Sequence, residues 1–244
     1  NLLVWRFGLP LYRMFAFGYR VEKVVSESPT TTSIYIKGSG VSGLTIHPGQ
    51  FILVRIFAKK LWWQEHPFTI SWIPKDNLLR ITVRDAGDYT HVLQTLKPGA
   101  RVMVSGPLGR FTAERAQTNK RLFIAGGVGV TPLRAMFEET VNNNVDSKLL
   151  FANRASNDVP LKTELDNLSG KNAEVTYIYS DEKVKGAEFG RLGGDLIVKL
   201  VKDLNDRDVY ICGPPPMMAA IVKDLEKVGV PSEQIHTEQF ALHP

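Results

Sequence analysis

Cysteine is almost absent from this sequence, because Cys212 is the only one in 244 residues. A single thiol excludes an internal disulfide, a zinc site built from several cysteines, and a plant-type iron–sulfur cluster, which needs four thiolates. Any redox chemistry must therefore depend on a bound cofactor with a different set of ligands. The missing disulfide also suits a reducing compartment.

The sequence also lacks a long hydrophobic run without charges. The first 20 residues are rich in leucine and aromatic residues, but they carry Arg6, Arg13 and Arg20. Each arginine would cost about 2.5–3.5 kcal/mol at the centre of a bilayer, so this segment is a poor spanning helix. Two interpretations stay open: a segment at the cytoplasmic edge of a membrane, or an amphipathic segment packed on the protein's own core.

No basic run with interleaved aromatic residues is present, which argues against nucleic acid as a partner. The net charge of +5 instead admits a phosphate-rich ligand or an anionic membrane surface. Hydrophobic residues make up 43% of the chain and charged residues 23%, as in ordinary globular proteins. A chain of 244 residues exceeds the usual single domain, so we expect two domains of about 100–150 residues each.

From Val21 to about Pro107 the sequence predicts a β-domain. Short β-prone runs are separated by turn clusters that contain glycine, proline or asparagine. The runs are Ser33–Ile36, Phe51–Phe57, Phe68–Trp72, Leu79–Val83 and Arg101–Val104. One stretch, Tyr89–Leu96, has helical spacing. Many short strands, with one helix before the last of them, indicate a small antiparallel barrel.

After Gly106 predicted strands alternate with predicted helices. The strands are Arg121–Ala125, Lys148–Ala152, Glu174–Tyr179, Asp208–Cys212 and Ile235–Glu238. The helices are Pro132–Val141, Val159–Leu168, Gly194–Leu204 and Pro216–Val228. This alternation indicates a parallel sheet with right-handed crossovers. The boundary between the two parts falls between about Gly109 and Lys120.

The strongest local feature is a glycine turn, Ala125-Gly-Gly-Val-Gly-Val-Thr-Pro132, between a predicted strand and a predicted helix. Its glycines are Gly126, Gly127 and Gly129. Glycines let the chain turn sharply and let a pyrophosphate approach the backbone at the edge of an open α/β sheet. We expect Thr131 to cap the helix and Pro132 to open it. The spacing differs from G-x-G-x-x-G, and a tight turn without a ligand explains the same residues.

A second motif, Cys212-Gly-Pro-Pro-Pro216, ends the fourth predicted strand of the parallel sheet. It therefore lies at the same carboxyl edge as the glycine turn. Three prolines stiffen the strand exit and remove backbone donors, which shapes a fixed wall. Cys212 is either an apolar space-filler or a pocket residue that touches a planar ring.

Two motifs of the β-domain are candidates for ligand contact. In His66-Pro-Phe-Thr-Ile-Ser71, Phe, Thr and Ser alternate along a strand, so one face offers hydroxyls while the other packs the core. An edge strand without a ligand fits this pattern as well. In Val83-Arg-Asp-Ala-Gly-Asp-Tyr-Thr90 a strand passes into a capped helix, where Arg84 can pair with a phosphate or simply be a surface charge.

Together, these motifs and their order resemble the ferredoxin–NADP reductase superfamily, from about Arg20 to Phe240. The motifs are His66–Thr69, Arg84 with Gly87–Thr90, Gly106–Gly109, the glycine turn, Cys212–Pro216 and Phe240. Within the superfamily, His-Pro-Phe-Thr in place of Arg-x-Tyr-Ser/Thr is similar to the NADPH oxidase and ferric reductase branch. One departure is the tail Ala241–Pro244, since oxidases of this branch usually stop at the aromatic residue.

The resemblance implies an antiparallel β-barrel FAD-binding domain followed by an α/β parallel-sheet nucleotide-binding domain. It implies a membrane-proximal linker over residues 1–20, the FAD-binding domain over 21–114 and the NAD(P)H-binding domain over 115–244. Hydride transfer needs nicotinamide C4 and flavin N5 nearly in contact, so the protein contributes positioning while the flavin supplies the chemistry.

The resemblance also implies a role for each matched residue. FAD would be held by His66, Pro67, Phe68, Thr69 and Arg84, with Thr90 as a weaker candidate. The nicotinamide dinucleotide would be held by Gly126, Gly127, Gly129, Thr131, Cys212, Gly213 and Pro214. The catalytic candidates are Thr69 near flavin N5, Cys212 near nicotinamide C4 and Phe240 stacked over the flavin.

The choice of nicotinamide cofactor depends on the tip of the second strand of the sheet. That strand ends Phe151-Ala-Asn-Arg154 without an acid, so Arg154 is placed for the 2′-phosphate of NADPH, and Arg191 can assist. Asp158 lies nearby and weakens the argument. We therefore expect NADPH to be favoured and NADH to be usable.

The full activity implied by the resemblance is hydride transfer from NADPH to FAD and then single-electron transfer to a transmembrane haem domain of the same protein. The final acceptor would be oxygen or ferric iron, at the cytoplasmic face of a membrane. The haem domain would lie outside these 244 residues, and no metal site is expected within them. The alternatives are a soluble NAD(P)H–flavin reductase that serves a separate carrier, and a non-catalytic nucleotide-binding regulator. The hydroxyl of Thr69 argues against the regulator.

Overall fold

The computed structural model describes residues 16–58 and 61–239, together with Gly8 and Tyr12. The chain divides into two compact units, residues 1–110 and 111–244. Phe240, the tail after it and most of the expected linker lie outside the described residues, and what was expected of them stays a prediction.

The first unit is an antiparallel β-barrel. Its strands are β1 (Arg20–Ser28), β2 (Thr31–Lys37), β3 (Phe51–Ile56), β4 (His66–Thr69), β5 (Leu78–Arg84) and β6 (Val102–Leu108). One sheet has the order β1-β2-β5 and the other the order β4-β3-β6. Single bridges close both seams between the sheets, one from Arg20 to Arg101 and one from Ile70 to Ile81.

Alternating side chains fill the interior of this barrel. In β3, Ile52, Val54 and Ile56 are completely buried, while the residues between them are half-buried. Helix α1 (Asp88–Gln94) adds Tyr89 and Leu93 to the same core. Burial of each such side chain is worth about 1.5–3 kcal/mol, so the alternation fixes which face of each strand points inward.

Buried hydroxyl groups connect β2, β5 and the residues that follow β4. The Thr82 hydroxyl oxygen lies 2.9 Å from that of Ser33 and 2.8 Å from that of Ser71. The Arg80 guanidinium, completely buried, donates to the Ser71 hydroxyl at 3.0 Å and to the Ser71 carbonyl at 2.6 Å. Since buried polar groups are costly unless they are hydrogen-bonded, this network fixes the position of β4 against β5.

Six strands in the described part of the second unit form one parallel sheet. They are β7 (Lys120–Gly126), β8 (Asp146–Asn153), β9 (Ala173–Tyr179), β10 (Glu188–Phe189), β11 (Asp208–Cys212) and β12 (Ile235–Glu238). The order is β10-β9-β8-β7-β11-β12, and each neighbouring pair is parallel. The helices are α2 (Val130–Asn142), α3 (Lys162–Leu168), α4 (Gly194–Leu200) and α5 (Pro215–Lys227). Buried side chains of α2 and α3 pack in one core cluster and those of α4 and α5 in another. The predicted fold class is confirmed.

At the amino edge of this sheet the buried carboxylate of Asp208 fastens the segment that enters β7. It accepts hydrogen bonds from the Gln117 N–H at 2.9 Å, the Thr118 N–H at 2.7 Å and the Thr118 hydroxyl at 2.8 Å, and the His236 ring nitrogen lies 2.9 Å away. Burial by itself would raise the pKa of Asp208, but these hydrogen bonds outweigh it and hold the pKa below its usual value.

The structure departs from the sequence prediction at several elements. Strand β1 and the two-residue strand β10 were not predicted as strands. In β1 most residues are exposed or half-buried, so the apolar alternation that marks a strand is weak. The helix expected from Val159 begins at Lys162, because Leu161 has a φ of 59° and cannot continue a helix from Pro160.

Candidate functional site

The loops after β7 and β11 meet at the point where the chain changes direction across the parallel sheet. From β7 the chain adds β8, β9 and β10 on one side, and it then returns to place β11 and β12 on the other. Cys212, the last residue of β11, pairs with Ala125, which precedes the glycine turn. A crevice at such a switch point is where open α/β sheets bind nucleotides.

The glycine turn packs directly against the exit of β11. An ideal Cβ atom on Gly126 would lie 2.7 Å from Met217 Sδ and 2.8 Å from Pro214 Cδ. Gly213 lies equally close to the backbone of Gly126, because an ideal Cβ atom on Gly213 would lie 3.1 Å from the Gly126 nitrogen. Gly127 has a φ of 52°, which turns the chain from β7 towards α2. Glycine is therefore required here for the close approach of two loops as well as for any approach of a pyrophosphate.

The expectation that Thr131 caps α2 is wrong. The turn Gly127–Gly129 is a 3-10 helix that continues into α2 at Val130, so the chain is already helical when it reaches Thr131. The Thr131 hydroxyl donates back to the Val128 carbonyl at 3.0 Å, and no side chain caps the helix. The N–H groups of this first turn remain the donors that an anion would meet.

Cys212 is completely buried, and its side chain belongs to the core cluster that includes Phe123 and Phe151. Burial and, secondarily, the charge of Glu238 on the neighbouring strand raise the pKa of this thiol, so it stays neutral. Sequence reasoning allowed a space-filler or a pocket residue, and the buried neutral thiol acts as an apolar filler at the strand end. A contact with nicotinamide C4 stays a prediction, as does the contact expected of the exposed Pro214.

The tip of β8 carries two polar groups at the same edge of the sheet. Arg154 is exposed, as is Arg191, so both guanidinium groups can meet a ligand from solvent. Asn153 Nδ2 is enclosed by protein and has no hydrogen-bond partner among the described residues. An enclosed donor without a partner is costly, and it fits a site that a polar ligand completes.

Sequence reasoning missed an acid at the tip of β9 that contacts the segment following β8. The Glu182 carboxylate, which follows β9, accepts a hydrogen bond from the Ser156 N–H, and the Asp181 N–H donates to the Arg154 carbonyl at 3.0 Å. The hydrogen bonds from Ser156 lower the pKa of Glu182, so its carboxyl group is ionised near neutral pH. No local signal shows it, because the acid comes from the tip of the neighbouring strand.

In the barrel, two aromatic side chains of β4 pack against helix α1. The His66 ring lies 4.1 Å from the Tyr89 ring, and Phe68 stacks on Tyr89 with centroids 6.3 Å apart. Tyr89 is held in place because its hydroxyl donates to the Val54 carbonyl at 2.6 Å. Burial lowers the pKa of His66, so its imidazole is neutral. Phe68 pairs with the inward-facing Ile52, so the rings of His66 and Phe68 lie on the face of β4 that packs against the barrel core.

Thr69 and Pro67 lie on the opposite face of β4. Thr69 pairs with Phe51, and its side chain is 6% exposed. Within the described residues, its hydroxyl makes no hydrogen bond. The predicted alternation is thus present, with an unengaged hydroxyl on the face that does not pack the barrel interior. Such a group fits a ligand with polar ring atoms.

Arg84 and Thr90 differ in how well they suit a phosphate. Arg84 is exposed at the end of β5, where its guanidinium can reach solvent. The Thr90 hydroxyl accepts from the Ala86 N–H at 2.9 Å and donates to the Gly87 carbonyl at 2.9 Å. Thr90 therefore shapes the turn before α1, and Arg84 is the stronger candidate for a phosphate contact.

Two known sequence families match the chain. An FAD-binding domain family matches residues 19–131, and an oxidoreductase NAD-binding domain family matches residues 123–223. The chain therefore carries an FAD-binding domain and an NAD-binding domain, and its fold is that of ferredoxin–NADP reductases. Its cofactors are accordingly FAD and NAD(P)H.

The curated relatives of this reductase module include larger proteins. Flavohemoprotein B of Dictyostelium discoideum is 29% identical over 251 residues, and a flavohemoprotein of Halalkalibacterium halodurans is 30% identical over 245 residues. Each alignment covers 90% of this chain and 58% of the relative. The ferredoxin reductase component of a 3-ketosteroid-9-alpha-monooxygenase from Mycolicibacterium smegmatis is 28% identical, with 91% of this chain and 64% of that protein covered.

Solved structures show the same fold. The flavohem-like FAD/NAD-binding domain of nitric oxide dioxygenase from Vibrio cholerae has a TM-score of 0.82 at 24% identity, with 91% of this chain and 97% of that chain covered. The ferredoxin reductase of carbazole 1,9a-dioxygenase has a TM-score of 0.80 at 22% identity, with 91% and 68% covered.

These relatives do not single out the NADPH oxidase and ferric reductase branch that the His-Pro-Phe-Thr motif suggested. They are flavohemoproteins and a ferredoxin reductase component. Among the described residues, no helix of this reductase is long and apolar enough to cross a bilayer.

Proposed function

We propose that this reductase takes a hydride from NAD(P)H and delivers single electrons to a separate carrier, a haem or iron–sulfur group outside the 244 residues. The relatives support this acceptor class, because their names join a flavin to a haem or describe a ferredoxin reductase component. The chain spans 58% of the flavohemoproteins' length, so the acceptor belongs to the proposal. The transmembrane haem domain, with oxygen or ferric iron as final acceptor, rests on the motif resemblance alone and is not carried further.

The observation that carries the proposal is the contact between the glycine turn and the exit of β11. An ideal Cβ on Gly129 would lie 2.3 Å from the Cys212 carbonyl oxygen and 2.7 Å from the Gly213 nitrogen. The two loops therefore form one rigid edge, with the N–H groups at the start of α2 beside it. A rigid edge with backbone donors is suited to hold a pyrophosphate in one position.

Each domain contributes positioning rather than a reacting side chain. When bound, FAD accepts the electron pair of the hydride and releases electrons one at a time. In the proposal, the Thr69 hydroxyl orients the flavin ring and Arg84 neutralises its phosphates. Asn153 Nδ2 and the α2 N–H groups hold the dinucleotide. Cys212 keeps the strand end packed as a neutral thiol.

The test is anaerobic rapid mixing of the FAD-loaded protein with NADPH or NADH, followed by a one-electron acceptor such as cytochrome c or ferricyanide. We expect the flavin's visible absorbance to be lost on mixing and to return when the acceptor is added. Failure to retain FAD, or retention of FAD without reduction by either nucleotide, would contradict the proposal and favour a non-catalytic regulator. Reduction without transfer to any one-electron acceptor would overturn the carrier part alone.

A further inference from the structure

Two adjacent tryptophans stand exposed on the loop between β3 and β4. Trp62 is 60% exposed and Trp63 is 62% exposed, and Phe57 at the start of the same loop is 49% exposed. We call the described residues of this loop, Phe57, Ala58 and 61–64, the tryptophan loop. Large aromatic side chains are normally buried to a high degree, and a cluster of exposed ones marks an interaction surface.

The tryptophan loop is fastened at its base. The Leu61 N–H donates to the Ala58 carbonyl at 3.0 Å, and the Gln64 N–H donates to the Leu61 carbonyl at 2.9 Å. Glu65, which follows the loop, accepts from the Ser105 hydroxyl at 3.3 Å. The two tryptophans are therefore presented on a defined turn, and the carboxylate of Glu65 is turned towards the barrel.

The loop leaves the barrel beside a pair of like charges. Ile56 pairs with Val102, and the Val102 N–H donates to the Tyr19 carbonyl at 3.2 Å. The neighbouring residues Arg20 and Arg101 pair across the seam, and both are exposed. Within the described part of the chain, neither arginine forms a salt bridge with a carboxylate. Like charges directly opposite on neighbouring strands repel, so an anionic surface would relieve this pair.

The neighbouring sequence adds more positive charge. Lys59 and Lys60 stand between Ala58 and Leu61 in the sequence. Residues 1–20 contain three arginines and no acidic residue. Tryptophan together with lysine or arginine is the composition of the membrane–water interface, where rings lie at the headgroup level and cations meet phosphates.

We propose that the tryptophan loop and the Arg20–Arg101 pair bind the first unit to the surface of an anionic lipid membrane. A protein partner is the less suitable occupant, because tryptophans that anchor protein interfaces are clustered near the centre of a packed surface, whereas these two are adjacent on one exposed turn with cations beside it. Each cation near an anionic leaflet strengthens binding about fivefold, so the two arginines together account for at least a tenfold preference for anionic lipid. This binding is peripheral and independent of the electron acceptor.

The experiment is co-sedimentation of the FAD-loaded full chain with vesicles of phosphatidylcholine alone or mixed with phosphatidylserine. We expect binding to the mixed vesicles that weakens as salt is added. The double variant Trp62→Ala/Trp63→Ala should lose at least tenfold in affinity, and Arg20→Gln/Arg101→Gln should lose at least tenfold on the mixed vesicles only. The matched control is Phe189→Ala, because Phe189 is 51% exposed in the second unit and should not affect vesicle binding.

A second readout separates this surface from the other tryptophans. Brominated lipids should quench the fluorescence of the parent protein clearly more than that of Trp62→Ala/Trp63→Ala. The proposal is overturned by absence of binding to mixed vesicles, by parental affinity of the double tryptophan variant, or by equal binding to both vesicle types. A tryptophan-dependent dimer or protein complex that forms without vesicles, in place of vesicle binding, would show a protein interface instead. Retention of FAD checks that each variant is folded.

Discussion

Gly129 and the carbonyl of Cys212 are so close that a side-chain carbon on the glycine would lie 2.3 Å from the oxygen. Gly129→Ala must therefore push the glycine turn away from β11. We expect a loss of about 1–3 kcal/mol in the free energy of unfolding, which is the usual cost of forcing an extra methyl group into a packed site. We also expect at least a tenfold rise in the KM for NAD(P)H, measured by steady-state reduction of ferricyanide.

Gly170→Ala is the matched control for that variant. Gly170 lies in the same unit, and an added Cβ would meet no atom within 4 Å. It should leave both the melting temperature and the KM near the parental values. Parental behaviour of Gly129→Ala would show that the turn and the strand exit are not held in contact.

The contribution of the Thr69 hydroxyl can be measured separately from that of the side chain's shape. Thr69→Val keeps the volume and removes the hydroxyl, whereas Thr69→Ser keeps the hydroxyl. If the hydroxyl bonds the flavin, valine should slow flavin reduction or weaken FAD binding about tenfold, in line with a hydrogen bond worth about 1–1.5 kcal/mol, while serine stays close to the parent. Stopped-flow reduction and FAD titration measure the two effects. Equal loss in both variants would assign Thr69 a packing role instead.

Arg154 and Glu182 should act in opposite directions on cofactor choice. Arg154→Ala removes the cation placed for a 2′-phosphate, so kcat/KM for NADPH should fall at least tenfold with little change for NADH, because a hydrogen bond to a charged group is worth about 1.5–3 kcal/mol. Glu182→Gln removes a negative charge that contacts Ser156, two residues beyond Arg154, and should raise kcat/KM for NADPH. An unchanged NADPH-to-NADH ratio in Arg154→Ala would refute this assignment.

Asp208 should make the second unit sensitive to acid. Because its pKa in the folded state lies below the ordinary value of about 3.9, the stabilisation is complete above that value and is lost as pH falls through the folded pKa. The melting temperature should therefore fall steeply below about pH 4. Asp208→Asn should melt at a lower temperature at pH 7 and show a flatter acid limb.

The control for the acid limb is Glu226→Gln, on the exposed surface of α5. This variant should follow the parental melting curve at every pH. If Asp208→Asn keeps the same steep limb as the parent, the carboxylate of Asp208 is not the group that titrates.

Strands with a buried face could be predicted from sequence, because alternation or apolar runs mark them directly. β3 shows this in Ile52, Val54 and Ile56, and β11 is completely buried along its length. β1 could not be predicted, since Val21 is the only one of its nine residues that is buried and its place depends on pairing with β2. Non-local pairing of this kind leaves little trace in the local pattern.

The motifs of the candidate site could be predicted from the sequence, but the contacts between them could not. The glycine turn and Cys212–Pro216 were expected at one edge of the sheet, and they lie there. The helical course of Gly127–Gly129 into α2 was not visible, because glycine permits many backbone conformations and the sequence does not choose among them. The contact of Glu182 with the Ser156 N–H depends on how β8 and β9 align, which local sequence does not encode.

The contact between Gly129 and Cys212 also determines the order in which the parts of the protein can fold during synthesis. The barrel uses only chain that precedes Phe111, so it can form while the second unit is still being made. The glycine turn emerges soon afterwards, but the segment it packs against is missing until β11 and the residues that follow it have left the ribosome. A nascent or truncated chain that stops before Asp208 would therefore present a finished flavin domain with an open, unsupported nucleotide edge.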